Sequence, residues 1–187
     1  MINAAIFASG EGTNAENLFR YFANDPRIRI KLVVTNKDNA GVIARAEKYK
    51  KNVQIVSKAA LENYTEQLIE FLKVEKIDLI VLAGFLLKMP DAFIKAFPNR
   101  IINLHPALLP KFGGKGMYGM NVHKAVIESG DKESGITIHY VDEEYDRGDI
   151  IFQAKCKVDE GETPESLYQK IQQLEFEYLP KAVERFL

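Results

Sequence analysis

Apolar and polar positions recur along this chain with two different periods. Short apolar runs at 4–8 (AAIFA), 28–35 (IRIKLVVT), 79–84 (LIVLAG) and 100–104 (RIINL) have the length and composition of strands. Those at 4–8 and 79–84 are apolar at nearly every position, the pattern of central parallel strands covered on both faces. Between the runs, AENLFRYFAN, VIARAEKYKK and NYTEQLIEFLKVEK carry apolar residues at helical spacing. Alternation of strand and helix predicts an α/β fold with a doubly wound, Rossmann-like, mostly parallel sheet. The second half reads differently. GITIHYVD and DIIFQAKCKV flank the polar segment EEYDRG, which predicts an antiparallel hairpin at the C-terminal edge. The closing segment from 163 onward reads as a helix, with Thr163 as N-cap and Pro164 in the first turn. Pro180 is expected to kink or restart that helix.

Length and charge narrow the picture. With no repeat, low-complexity tract or linker, the 187 residues are read as a single domain over 1–187. The 25 basic and 26 acidic side chains leave a net charge of -1, so no overall field draws the chain to nucleic acid or an anionic membrane. The lone cysteine, Cys156, can form no internal disulfide and fits a reducing cytosol. No apolar run approaches the roughly 18 residues of a membrane span, and the N-terminus has no secretory pattern. A cytoplasmic protein is expected.

Candidate chemistry sits at strand ends, where open α/β sheets bind ligands. SGEGTN (9–14) joins the first strand to the first helix. Its glycines permit a tight turn, and the N–H groups opening the helix suit an anion, phosphate above all. A dinucleotide fits less well, because Thr35 and Asn36 stand where a ribose-binding acid belongs. A P-loop lysine is also missing, with Thr13 and Asn14 in its place. NLHPALLP (103–110) puts Asn103 and His105 two residues apart at the end of another strand. An asparagine amide can donate to a developing oxyanion, and a histidine can move a proton near neutral pH. Pro106 and Pro110 would stiffen the loop and hold the imidazole. A histidine that only caps the strand is the alternative.

The other polar positions leave choices open. The three histidines, 105, 123 and 139, have spacings that match no compact metal motif, so no metal is expected. His139 is read as lining the sheet, and His123 as a helix-start residue near the pocket. The acidic turn supplies Asp142, Glu143, Glu144, Asp146 and Asp149, any one of which could pair with His105 and raise its pKa. Glu175 falls on the apolar side of the last helix, with Leu167, Ile171, Leu174 and Tyr178, where a carboxylate needs a partner. That partner is either a basic residue of the fold or a cationic ligand group.

Together, SGEGTN, VLAGF (81–85), INLHPALLPKF (102–112), GITIHYVDEEYDRGDII (135–151) and LEFEYLP (174–180) resemble the folate-dependent phosphoribosylglycinamide formyltransferase family over nearly the whole chain. The resemblance implies the formyltransferase fold and a purine-biosynthetic reaction between small molecules. In it, the amine of glycinamide ribonucleotide attacks the formyl carbon of the co-substrate 10-formyltetrahydrofolate. It further implies that Asn103 holds the formyl oxygen, that His105 stabilises or protonates the tetrahedral intermediate, and that Asp146 is the supporting acid. Gly12, Thr13 and Asn14 would hold the substrate phosphate with help from Gln172, and Glu175 would receive the amine. Leu86, Leu87, Lys88, Met89 and Asn103 would line the folate pocket. Leu87 and Leu61 stand where some members carry arginines, leaving Lys58 or Lys88 to meet the folate tail. The glycine-rich loop 113–121 is expected to act as a mobile flap. The rivals are a formyltetrahydrofolate hydrolase and a methionyl-tRNA formyltransferase, both of which carry an extra domain in the family pattern. A non-catalytic phosphate-ligand sensor is the third.

Overall fold

The computed structural model describes residues 1–187, and the chain divides into two compact units, Met1–Asn103 with Leu187 and Leu104–Phe186. The first is built on parallel strands: β1 (Ile2–Phe7), β2 (Ile28–Thr35), β3 (Asn52–Ile55), β4 (Leu79–Leu82) and the start of β5 (Ile101–His105). Their order is β3-β2-β1-β4-β5. Ala4, Ala5, Ile6, Phe7, Leu79, Ile80 and Val81 are all fully buried, as continuous apolar runs in a two-sided parallel sheet should be. Helices α1 (Thr13–Tyr21), α2 (Gly41–Lys48), α3 (Lys58–Asn63), α4 (Thr65–Val74) and α5 (Asp91–Ala96) complete this unit. Phe7 meets Phe85 and Phe93 edge-on, at centroid distances of 5.3 and 6.4 Å.

Three details depart from the sequence pattern. The helix expected over 63–76 is α4, and a further short helix, α3, precedes it, with Ser57 capping α3 through the Ala60 N–H at 3.1 Å. Strand β3 carries no apolar run, because as an edge strand it leaves Asn52, Gln54 and Ile55 exposed and is defined by its backbone pairing with β2. The short helix α5 is anchored by one buried side chain, Phe93.

The second unit holds α6 (Met120–Ser129), β6 (Glu133–Tyr140), β7 (Ile150–Lys157) and α7 (Pro164–Glu184). Strands β6 and β7 are the expected antiparallel pair, with Ser134 opposite Cys156, Ile136 opposite Ala154 and Ile138 opposite Phe152. Gly135 allows a close approach here, since a Cβ would overlap the Ala154 carbonyl. Thr163 caps α7 by accepting the Ser166 N–H at 3.2 Å, with Pro164 next to it. Pro180 does not restart the helix, which runs unbroken from Pro164 to Glu184, 21 residues in all. It is buried beside Leu179, Ala182 and Val183, and the packing of that face compensates for the missing N–H bond. The fold is thus a seven-stranded, mostly parallel α/β sheet with antiparallel C-terminal strands, flanked by helices, as the sequence predicts.

Candidate active site

In the first unit the glycine turn is a backbone construction. Gly12 is the N-cap of α1 at φ 74° and ψ 25°, and a Cβ there would stand 2.5 Å from the Val42 side chain. Both the left-handed conformation and the close contact require glycine. Having no side chain, it leaves the first-turn N–H groups of α1 without a side-chain cap, and Thr13 and Asn14 open the helix. The turn is fixed from behind. The Val42 N–H donates to the Gly10 carbonyl at 3.0 Å, and Arg45 Nε donates to the Glu11 carbonyl at 2.6 Å. Arg45 also pairs with Glu16, which Lys48 reaches at 3.1 Å.

The buried hydroxyl of Ser9 donates to Asn36 and accepts the Leu86 N–H at 2.9 Å, so the turn is tied to the segment 86–89. In that segment Met89 is buried, Leu87 half-buried, and Leu86 and Lys88 exposed. The Lys88 ammonium lies 3.7 Å from Asp91. Leu61 packs in the core of α3. Lys58 forms a loose pair with Glu62 at 3.9 Å. Asn103 is half-buried in β5, opposite Leu82 of β4.

The second unit gathers the titratable groups. His105 is 3% exposed at the end of β5. Its Nε2–H donates to the Phe112 carbonyl at 2.8 Å, and its Nδ1 lies 3.6 Å from Asp146 Oδ2. Asp146, at φ 55°, also accepts the Gly114 N–H at 2.9 Å through Oδ2, and its Oδ1 lies 3.6 Å from His139 Nε2. His139 Nδ1–H in turn donates to the Tyr140 carbonyl at 2.7 Å. Each imidazole therefore commits one N–H to a backbone carbonyl and turns its other nitrogen to the same carboxylate. Of the five acids in the turn, Asp146 is the one that reaches His105. Asp142 instead caps the turn through the Glu144 N–H at 2.9 Å, and Glu144 pairs with Arg147.

Electrostatics correct one expectation. Asp146 does act to raise the pKa of His105, as does the Phe112 carbonyl, but burial is the larger effect and holds the imidazole below its ordinary value. His139 adds a smaller push in the same downward direction. Burial alone would raise the Asp146 pKa. The His139 hydrogen bond, the nearby His105 and the Gly114 N–H overcome it and keep the carboxyl below its usual range.

Besides its two prolines, the histidine loop is held by buried side-chain hydrogen bonds. The buried Thr137 hydroxyl donates to the Ala107 carbonyl at 2.7 Å and accepts the Leu109 N–H at 3.0 Å and Gln153 Nε2–H at 2.9 Å. Gln153 also donates to the Leu109 carbonyl at 3.0 Å. The Leu109–Pro110 peptide is cis. Thr137, Gln153 and the link from His139 to Asp146 carry no distinct motif in the sequence. The available signal was polar residues alternating with Ile136 and Ile138 on a buried strand, which burial obliges to find partners. On α7, Gln172 and Glu175 are half-buried on one face, with Gln172 Nε2–H donating to the Tyr168 hydroxyl at 3.1 Å. His123 is 1% exposed on α6, and burial pushes its pKa down to about 4 with a smaller contribution from His105. In the loop 113–121, besides the Gly114 contact, Asn121 Nδ2–H donates to the Gly116 carbonyl at 3.2 Å. No group of His, Cys, Asp and Glu side chains is arranged to hold a metal ion.

A doubly wound α/β chain with a glycine turn before its first helix and an Asn-x-His strand end facing a carboxylate defines a Rossmann-like class of α/β protein. The chain belongs to the formyl transferase family, whose model matches residues 2–183, and within it to the phosphoribosylglycinamide formyltransferases. It is 35% identical over 187 residues to the phosphoribosylglycinamide formyltransferase of Bacillus subtilis, covering 98% of this chain and 93% of that one. It is 41% identical over 173 residues to the chloroplastic phosphoribosylglycinamide formyltransferase of Arabidopsis thaliana, covering 89% of this chain but 59% of that relative's length. The same fraction, 59%, is covered of the Vigna unguiculata protein, so the chain spans about six tenths of these plant relatives. Among solved structures, the phosphoribosylglycinamide formyltransferase of Bacillus halodurans superposes with a TM-score of 0.89 at 34% identity, over 99% of this chain and 95% of that one.

Proposed function

We propose that this chain transfers the formyl group of 10-formyltetrahydrofolate to the amine of glycinamide ribonucleotide, giving formylglycinamide ribonucleotide and tetrahydrofolate. The observation that carries the reading is the buried His105, two residues beyond Asn103, facing the half-buried Asp146 carboxylate at 3.6 Å. The kinship to proteins named for this reaction supports it. The amine attacks the formyl carbon directly. As the carbonyl oxygen gains charge, the Asn103 amide donates to it. A proton leaves the attacking nitrogen, the folate nitrogen gains one, and the C–N bond to the folate breaks. His105 handles the proton through Nδ1, the nitrogen beside Asp146, while its Nε2–H stays bonded to the Phe112 carbonyl.

The remaining roles follow the same reading. Gly12, Thr13 and Asn14 bind the phosphate at the α1 N-terminus, with Gln172. Glu175 meets the glycinamide amine, and Leu86, Leu87, Lys88 and Met89 with Asn103 line the folate pocket. Residues 1–187 work as one formyltransferase domain. The protein acts in the cytoplasm, which agrees with a lone unpaired cysteine and with the lack of any helix long and apolar enough to cross a membrane.

The test is direct. Purified protein is incubated with both substrates and loss of the formyl folate is followed by absorbance, with formylated ribonucleotide identified by mass. Turnover that needs the ribonucleotide is expected. Folate loss without it would indicate hydrolysis, and no reaction with either substrate present would overturn the assignment.

A further inference from the structure

We propose that Tyr168 is a phosphate-binding residue, acting with Gln172 as a pair of neutral donors on one face of α7, its ring held by His123. The proposal rests on the reading above, in which Gln172 reaches the substrate phosphate.

Residues 168, 172 and 175 follow i, i+4, i+7 spacing, so their side chains share a face of α7. Tyr168 and Gln172 are already joined, since Gln172 Nε2–H donates to the phenol oxygen at 3.1 Å. That bond has two consequences. It fixes which end of the Gln172 amide meets the phenol. It also leaves two protons for a ligand, the Tyr168 O–H and the second N–H of Gln172. Two donors about 3 Å apart match two oxygens of one phosphate group, and hydrogen bonds to a charged acceptor are the stronger kind.

Tyr168 is 40% exposed, yet its ring is not without contacts. His123 packs against it edge-on, with centroids 5.6 Å apart and planes at 68°. His123 is itself buried, and its Nδ1 has no hydrogen-bond partner in the protein. With its pKa pushed down to about 4, it stands there at neutral pH as an uncharged ring. It therefore contributes shape and orientation, and the paired donors contribute the contacts.

The test removes one oxygen. Ribose 5-phosphate binding is measured by calorimetry on the wild-type chain and on Tyr168→Phe, with ribose as the control lacking phosphate. The variant is expected to bind ribose 5-phosphate roughly tenfold more weakly, the loss of one hydrogen bond to a charged group. Its KM for glycinamide ribonucleotide should rise by about the same factor. Its kcat, its KM for 10-formyltetrahydrofolate and its melting temperature should stay near wild type. Equal ribose 5-phosphate affinity in the two proteins overturns the proposal, as does a wild-type chain that binds ribose as well as its phosphate or binds neither. Weaker phosphate binding by the variant, alongside a wild-type chain that shows no formyl transfer, would uphold the phosphate contact and overturn the assigned reaction alone.

Discussion

The two units use different materials for their candidate chemistry. In Met1–Asn103 the candidate anion site is backbone: a left-handed Gly12, the uncapped start of α1, and carbonyls pinned by Val42 and Arg45. That unit contains no histidine. In Leu104–Phe186 the site is side chain: all three histidines are buried there, two of them turned to Asp146. A backbone site needs a short contiguous motif and the right conformation. A side-chain site needs distant segments to converge and their protons to be assigned. The first should respond to substitution through conformation and be indifferent to pH, and the second should lose chemistry or respond to acid.

The largest effect tests the side-chain unit. Replacing His105 with alanine should lower kcat by about 10²–10⁴-fold, the usual worth of a positioned acid–base group. The melting temperature should show that the variant is folded. Turnover at the wild-type rate would break the comparison at its centre.

Acid gives the next. The folded-state pKa of His123, about 4, lies below the ordinary 6.5, so the folded form prefers the neutral ring. The stability this confers is present above pH 6.5 and is lost as pH falls through 4, for about 3 kcal/mol in all. His105 is shifted in the same direction and adds to the loss over the same side of pH 6.5. Asp146, with its pKa below 3.8, acts at lower pH. Urea unfolding at pH 7 and pH 4 should show a smaller acid loss in His123→Phe than in wild type. Equal losses in the two proteins would show that the His123 ring is charged in the fold without penalty.

The smallest effect belongs to the backbone unit. Gly12→Ala forces a Cβ into the left-handed region and against Val42. It should cost roughly 1–2 kcal/mol of stability and weaken ribose 5-phosphate binding. The acid loss of stability should match wild type, since no titrating histidine lies in that unit. A changed acid response in this variant would erase the distinction between the units.

Much of the architecture was legible because its causes are local. The strand expected at 28–35 is β2 to the residue, and Thr163 with Pro164 marks the start of α7. Strand β3 was illegible because an edge strand leaning on β2 needs no apolar pattern of its own. Pro180 does not interrupt α7, because the packing of Leu179, Ala182 and Val183 sustains a helix that local propensity opposes. In the candidate site, Asn103 and His105 stood out as polar residues ending an apolar strand. The choice of Asp146 came from family resemblance, since five acids within eight positions are indistinguishable by spacing.

The sequence by itself determined the alternation of strand and helix, the glycine turn and the residue types able to do acid–base work, because periodicity, caps and turn glycines act between near neighbours. The tertiary structure decided which acid faces His105, that His139 shares it, that Thr137 and Gln153 pin the histidine loop, and that burial outweighs Asp146 in setting the His105 pKa. Those outcomes depend on distance and desolvation among residues far apart in the chain, and only the packed molecule fixes either quantity.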